Sequence, residues 1–261
     1  MRRGQVLDAA AAVYEEFFVP ALFGQWVEPM LDAAGVMAGD SVLDVGCGTG
    51  IVARSARQRV GPTGTVIGVD PNEGMLDVAA HHGPEIDWRT GTAEELPCSD
   101  DLVDATTCQF AAMFFEDRAL AIEEMIRVTR SGGRVAIATW AGVGRSPGYA
   151  AMVELLTRHV GDWAAEALSA PFTIGTEEAL LRVIGHDRDG ISLTTRPGVA
   201  RFASIDDWLY TDIRGWTLAD RIDDATYADL LDAARSELAR FEAPDGTVIF
   251  DAPAIIGVID V

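Results

Sequence analysis

Residues 41–50 read Ser-Val-Leu-Asp-Val-Gly-Cys-Gly-Thr-Gly, and chemistry is first legible there. Val42, Leu43 and Val45 make a short apolar strand. Gly46, Cys47, Gly48, Thr49 and Gly50 make a glycine-rich turn, and Ile51 to Val60 make a helix. A strand feeding a glycine turn and then a helix aims main-chain N–H groups at a ligand beyond the sheet edge. Glycine removes Cβ atoms, so a ligand can lie against bare backbone. The decapeptide also reads as a plain tight turn. Residues 65–70, Thr-Val-Ile-Gly-Val-Asp, form a second apolar strand that ends in an acid. Asp70 lies twenty residues beyond Gly50. In a doubly wound sheet this position faces the same crevice, and its carboxylate can accept both hydroxyls of a ribose. Asp70 can also cap the helix that follows, where Pro71 suits the first turn. A dinucleotide fingerprint requires a third glycine at position 51, which here is Ile51.

Other chemistry-bearing side chains are few. The chain has 261 residues and no lysine, so imine chemistry on a lysine is excluded. Cys47, Cys98 and Cys108 fit neither a disulfide framework nor a zinc spacing, and no metal site is expected. His81 and His82 end a helix and read as exposed; His186 precedes a charged turn. His159, near another helix end, is the one weak candidate for a general base. The catalytic group is otherwise left unassigned. A net charge of −21 opposes binding to nucleic-acid phosphates and to anionic membranes. No apolar run is long enough to span a bilayer, and Asp8, Glu15 and Glu16 come too early for a secretory signal, so a cytoplasmic protein is expected.

The elements that must hold the turn and the acid follow from periodicity. Two N-terminal helices are expected, over 5–17 and 22–34, interrupted at Pro20 and ended by Gly35. Strands and helices then alternate over 41–45, 51–60, 65–69, 72–82, 86–90, 102–109, 117–130 and 133–140. That alternation predicts an α/β fold with a doubly wound, mostly parallel sheet. Helices follow near 148–159, 162–168, 176–186, 204–212 and 223–242. Residues 191–202 and 254–260 read as the last two of seven strands, with a helical cap inserted between them.

Residues 42–50 resemble the first motif of class I S-adenosylmethionine-dependent methyltransferases, and Gly68 to Leu76 resemble their second. Gly91-Thr92-Ala93-Glu94-Glu95-Leu96-Pro97 and Arg127 to Val135 resemble two further segments of the same family. The four motifs stand in order over roughly 36–140 and look most like the ubiquinone/menaquinone-biosynthesis-like branch that acts on small molecules. The resemblance implies a Rossmann-like core over 36–145 that binds S-adenosylmethionine. Residues 1–35 would be a helical lid, and 146–261 the rest of the sheet with a substrate cap. It implies that amides of Gly46, Cys47, Gly48, Thr49 and Gly50 hold the carboxylate, and that Asp44 and the backbone of Gln109 meet the ammonium. Asp70 would hold the ribose, beside Pro71, and Met75 would flank the adenine. Ala93 and Glu94 would lie near the adenine amine, with Thr92 replacing the family's usual acid. Tyr14 and Phe18 resemble residues that close over the cofactor.

Aromatic and apolar side chains crowd the ends of the expected strands. Trp26, Phe110, Met113, Phe114 and Trp140 are candidates for an acceptor pocket, and Trp208, Tyr210 and Trp216 lie in the C-terminal insert. Phe17 and Trp208 read as core. Aromatic walls suit an apolar or aromatic acceptor in a water-poor pocket. The expected reaction is transfer of a methyl group to a small organic molecule by in-line displacement, by a monomer or homodimer. Two readings stand beside it: an NAD-type oxidoreductase, against which Ile51 argues, and a non-catalytic S-adenosylmethionine-binding protein.

Overall fold

The structure, a computed structural model, describes residues 8–186, 188–215 and 218–261. Trp216 and the beginning of the helix expected over 5–17 lie outside them. Nine strands are present among the described residues: β1 (Ser41–Val45), β2 (Thr65–Asp70), β3 (Asp87–Thr90), β4 (Val103–Gln109), β5 (Thr129–Trp140), β6 (Ile191–Arg196), β7 (Val199–Phe202), β8 (Val248–Asp251) and β9 (Ala254–Asp260). Ten α-helices accompany them: α1 (Asp8–Val13), α2 (Val27–Ala33), α3 (Ile51–Val60), α4 (Glu73–His82), α5 (Arg118–Val128), α6 (Pro147–His159), α7 (Asp162–Ser169), α8 (Glu177–Ile184), α9 (Ile205–Arg214) and α10 (Asp224–Glu237).

Seven strands form one sheet in the order β3-β2-β1-β4-β5-β9-β6. Strands β1 to β5 run parallel, and β9 runs antiparallel to both β5 and β6. In β1, Val42, Leu43, Asp44 and Val45 are all buried, as a central parallel strand requires. Strand order reverses between β1 and β4, which opens a crevice at their carboxyl ends. Every expected strand of the first half is present. The strand expected from 133 starts at Thr129 instead, with an irregular step against β4.

Three expectations need correction. Residues 191–202 are not one strand. β6 closes the main sheet beside β9, whereas β7 leaves it to pair with β8 in a separate two-stranded sheet. The break falls at Pro197-Gly198, where proline has no N–H for a ladder. A Cβ at Gly198 would sit 2.2 Å from the Trp26 ring, so the chain turns where that indole needs room. At the N-terminus, Pro20 does not separate two α-helices. α1 runs directly into a π-helical stretch, Tyr14–Phe23, with Pro20 inside it. A proline cannot supply the ordinary helical N–H, and the wider turn accommodates it. Glu15 anchors this stretch to α3 through Arg54 at 2.5 Å. Lastly, α4 is capped by the side chain of Asn72, which accepts the N–H of Met75, so Asp70 is not its cap.

Not every glycine of the first two motifs faces open space. A Cβ on Gly50 would lie 2.4 Å from Trp88, and one on Gly68 would lie 2.3 Å from the same indole. Trp88, on β3, is fixed there by donating its N–H to the carbonyl of Gly83 at 2.8 Å. These two glycines make room for a tryptophan. Gly68→Ala is expected to lower stability by about 1–3 kcal/mol, the usual range for overpacking. Trp88→Phe, which removes the clashing ring atoms, should recover part of that loss. Urea titrations of the two single variants and the double variant check it; additive losses would contradict the packing account.

Candidate active site

The carboxyl ends of β1, β2 and β4 converge on a cavity of about 530 Å³. Asp70 ends β2 at its wall and is buried. One carboxylate oxygen accepts the N–H of Gly48 at 2.9 Å, and the other accepts the N–H of Asn72 at 2.9 Å. The acid therefore ties the turn after β1 to the turn after β2. Gly46, Gly48 and Gly50 all have positive φ, of 66°, 54° and 84°, a path that side-chain-bearing residues resist. Gly46 also lies against Ala111, where an added Cβ would meet another at 2.4 Å.

Twelve expected site residues line the large cavity. They are Tyr14, Gly46, Gly48, Asp70, Pro71, Met75, Thr92, Ala93 and Glu94 from the cofactor set, with Phe110, Met113 and Phe114 from the acceptor set. Glu94 is held by the N–H groups of Glu116 and Asp117, at 2.8 and 3.3 Å, so this segment is braced against the start of α5. Phe115, next in the aromatic run after β4, lines it too, and so do Asn72 and Arg118, which were not anticipated.

Asp44, Cys47, Thr49 and Gln109 do not reach that cavity. They surround a smaller one of about 20 Å³, walled on its other side by Tyr14 and Phe23. Asp44 is buried and accepts the hydroxyl of Thr107 at 2.9 Å and the N–H of Ala53, in the first turn of α3, at 3.1 Å. Burial pushes its carboxyl up to about 7, against the pull of those hydrogen bonds. Burial also raises Asp70, and the Asn72 and Gly48 amides restrain it. Gln109 donates to the carbonyl of Phe23 at 3.4 Å, and its side-chain oxygen is buried without a partner among the described residues, as is the hydroxyl of Thr49.

A third cavity, of about 50 Å³, lies among aromatic rings. Tyr14, Phe18, Phe110, Phe114 and Trp140 line it, as does Phe23. Phe110 stacks on Trp140 at 3.8 Å and holds a φ of 55°, a strained setting for an aromatic residue. Tyr14 borders all three cavities, and Phe110 and Phe114 border two. Tyr149 from α6 and Asp212 from α9 also face the aromatic cavity. Neither stood out in the sequence, because nothing in their local pattern marks them; only the packing of the C-terminal helices brings them here.

Three expected residues fall elsewhere. Gly50 packs on Trp88. Trp26 is buried edge-on to Phe110 and Trp140 and lines none of these cavities. His159 is exposed at the end of α6, 3.0 Å from Glu237, and none of the three cavities includes it. His81, His82 and His186 are exposed as well. Trp208 is core, as expected, while Phe17 is half-buried edge-on to Tyr210.

Strand order and a crevice beyond β1 and β2 define a class I methyltransferase fold, and residues 43–137 match the family model described as a methyltransferase domain. Over 142 residues the chain is 33% identical to a ubiquinone/menaquinone biosynthesis C-methyltransferase of Hahella chejuensis, covering 51% of this chain and 57% of that protein. It is 30% identical over 141 residues to a 2-phytyl-1,4-naphtoquinone methyltransferase of Trichormus variabilis, covering 51% and 62%. The chain thus spans less than two thirds of these relatives. Among solved structures, a candidate methyltransferase from an antibiotic biosynthesis pathway of Anabaena variabilis superposes with a TM-score of 0.67 at 17% identity, covering 89% of this chain and 96% of that one. The likeness is one of fold. No helix among the described residues is long and apolar enough to cross a membrane.

The buried acids give a pH dependence. Below about pH 4 Asp44 is protonated in both folded and unfolded chains. As pH rises the unfolded carboxyl ionises, while the folded one stays neutral until about 7. The folded state then binds more protons, so stability falls by roughly 1.4 kcal/mol per pH unit for such a group. Urea unfolding at intervals from pH 5 to 7.5 should show falling midpoints, and Asp44→Asn should flatten the slope. A slope that Asp44→Asn leaves unchanged would contradict the assignment.

Proposed function

We propose that this protein is an S-adenosylmethionine-dependent methyltransferase acting on a small, apolar or aromatic organic acceptor. The observation that carries the reading is the Asp70 carboxylate, buried at the wall of the 530 Å³ cavity beside the positive-φ glycine turn. The volume lies in the range of small-molecule sites, about 300–1,000 Å³. Two polar groups suit S-adenosylmethionine: the Asp70 acid for ribose hydroxyls, and the Gln109 side-chain oxygen, unpartnered among the described residues, beside Asp44 for an ammonium. The N–H groups of Gly46, Cys47, Gly48 and Gly50 already donate to Val69, Asp70 and Cys47, so the turn offers bare backbone surface rather than a nest of free amides. Ile51 at the start of α3 disfavours the oxidoreductase alternative, and the methyltransferase relatives support this one.

When bound, S-adenosylmethionine supplies an electrophilic methyl group on a sulfonium. Asp70 and Pro71 hold the ribose side, and Met75, Thr92, Ala93 and Glu94 surround the adenine. Gly46 and Gly48, with Cys47, Thr49 and Gly50 in the same turn, form the bare-backbone side. Asp44 and Gln109 take the ammonium end, where Tyr14 and Phe23 must yield space. Phe18, Phe110, Met113, Phe114 and Trp140 exclude water from the acceptor, which strengthens the electrostatics of the site and positions the reacting groups. In this reading residues 1–35 act as a lid, 36–145 as the cofactor-binding core and 146–261 as the rest of the sheet with a substrate cap. The protein works in the cytoplasm as a monomer or homodimer, with small-molecule partners rather than nucleic acid or membrane.

Calorimetry with S-adenosylmethionine and S-adenosylhomocysteine should show binding of both, and NAD should give no heat. Asp70→Asn should weaken binding about 10–100-fold, the loss expected for hydrogen bonds to a charged acceptor. Absence of heat in the wild type, or an affinity that survives Asp70→Asn intact, would contradict the proposal.

A further inference from the structure

We propose that the aromatic cavity is the acceptor subsite, and that Asp212 is its catalytic carboxylate, taking the proton of a hydroxyl carried by a planar aromatic acceptor. The inference rests on the methyltransferase reading and concerns the half of the fold beyond the matched domain.

Asp212 is 2% exposed, and its Oδ2 is buried with no hydrogen bond of ordinary geometry from the described residues, though the Trp208 indole lies close enough to pull its carboxyl down. Its Oδ1 accepts from the Tyr149 hydroxyl only at 3.5 Å, the long limit for such a bond. Among the described residues no arginine or histidine lines the cavity, and its titratable groups are Tyr14, Tyr149 and Asp212. A buried carboxyl kept for structure is paired or fully hydrogen-bonded, because an unsatisfied one is costly. Here an acid that lines the aromatic cavity has one oxygen with no hydrogen bond of ordinary geometry, and the Trp208 indole N–H near it is likewise left without one. The missing donor is what an acceptor hydroxyl would supply.

The walls specify the rest of the ligand. Phe110 and Trp140 lie parallel, at 6° to one another, and present a flat face. Tyr14, Phe110 and Phe114 border both this cavity and the large one, so an acceptor seated here abuts the cofactor site. The present 50 Å³ is smaller than an aromatic ring system, so the acceptor must extend across that boundary or displace Tyr14.

The proton step is simple. The acceptor O–H bond breaks, an O–H bond forms on Oδ2, and the electron pair remains on the acceptor oxygen, making it or its conjugated ring nucleophilic. Burial raises the Asp212 carboxyl to about 8, with hydrogen bonds from Trp208 and Tyr149 opposing, so it takes the proton only above about that pH, where the ionised form is a stronger base than an exposed acid.

The test uses 2-naphthol and naphthalene as probes on the whole chain, read by ligand fluorescence. Above about pH 8, where Asp212 is ionised, the wild type should bind 2-naphthol at least about tenfold more tightly than naphthalene, the margin of one charge-assisted hydrogen bond, and the bound naphthol should emit as its anion. Asp212→Leu should lose the preference while keeping naphthalene. Asp212→Asn should bind naphthol with emission from the neutral form only. Equal binding of both probes by the wild type, or anion emission that survives in Asp212→Asn, overturns the proposal. Calorimetry with S-adenosylhomocysteine separates the two readings. Both variants should bind it like the wild type; if the wild type shows the naphthol preference but no such binding, the cofactor reading falls instead.

Discussion

The site depends on one buried carboxylate that accepts from two turns at once. Asp70 ends β2, takes the N–H of Gly48 from the turn after β1, and takes the N–H of Asn72 at the entry to α4. An acid desolvated in this way would be costly alone, and those two amides offset part of the cost. The same bonds hold the glycine turn in a path that only glycine follows easily, with positive φ at Gly46, Gly48 and Gly50. Loss of the carboxylate would therefore loosen both the floor and one wall of the cavity.

Around that hub the glycines divide their work. Gly50 and Gly68 admit the Trp88 indole, and Gly46 admits Ala111. A motif that looks like a ligand cradle is thus partly a packing device, which locks α3 and β2 against β3. The polar end of the crevice is built from Asp44 and Gln109, yet the Tyr14 and Phe23 rings wall most of it off. On the proposed reading, the N-terminal segment and the ammonium end of the cofactor compete for one volume. The π-helical stretch around Pro20 carries Tyr14 and Phe23, while Glu15 ties it to α3.

Much of this was readable in advance. The apolar runs at 41–45 and 65–70 and the glycines between them carry strong local signals, so the first five strands and the crevice they form follow from pattern alone. The C-terminal half reads less clearly because its partners are distant in sequence. Pro197-Gly198 marks a break, but only Trp26, far away in the chain, explains why the strand changes sheets there. Trp26 itself looked like a pocket residue and is core. Trp88 gave no sign that it fills the space left by two glycines. His159 attracted attention as a titratable group, while Asp212 did not, because an aspartate in an acidic chain is unremarked until its burial is seen.

A crystal structure with S-adenosylhomocysteine bound tests the central claim most directly. The account predicts both ribose hydroxyls on the Asp70 carboxylate, with Tyr14 moved away from Gly48 and Gln109. Density for the ligand elsewhere, or a ribose held by other groups while Asp70 keeps its back to it, would contradict the account.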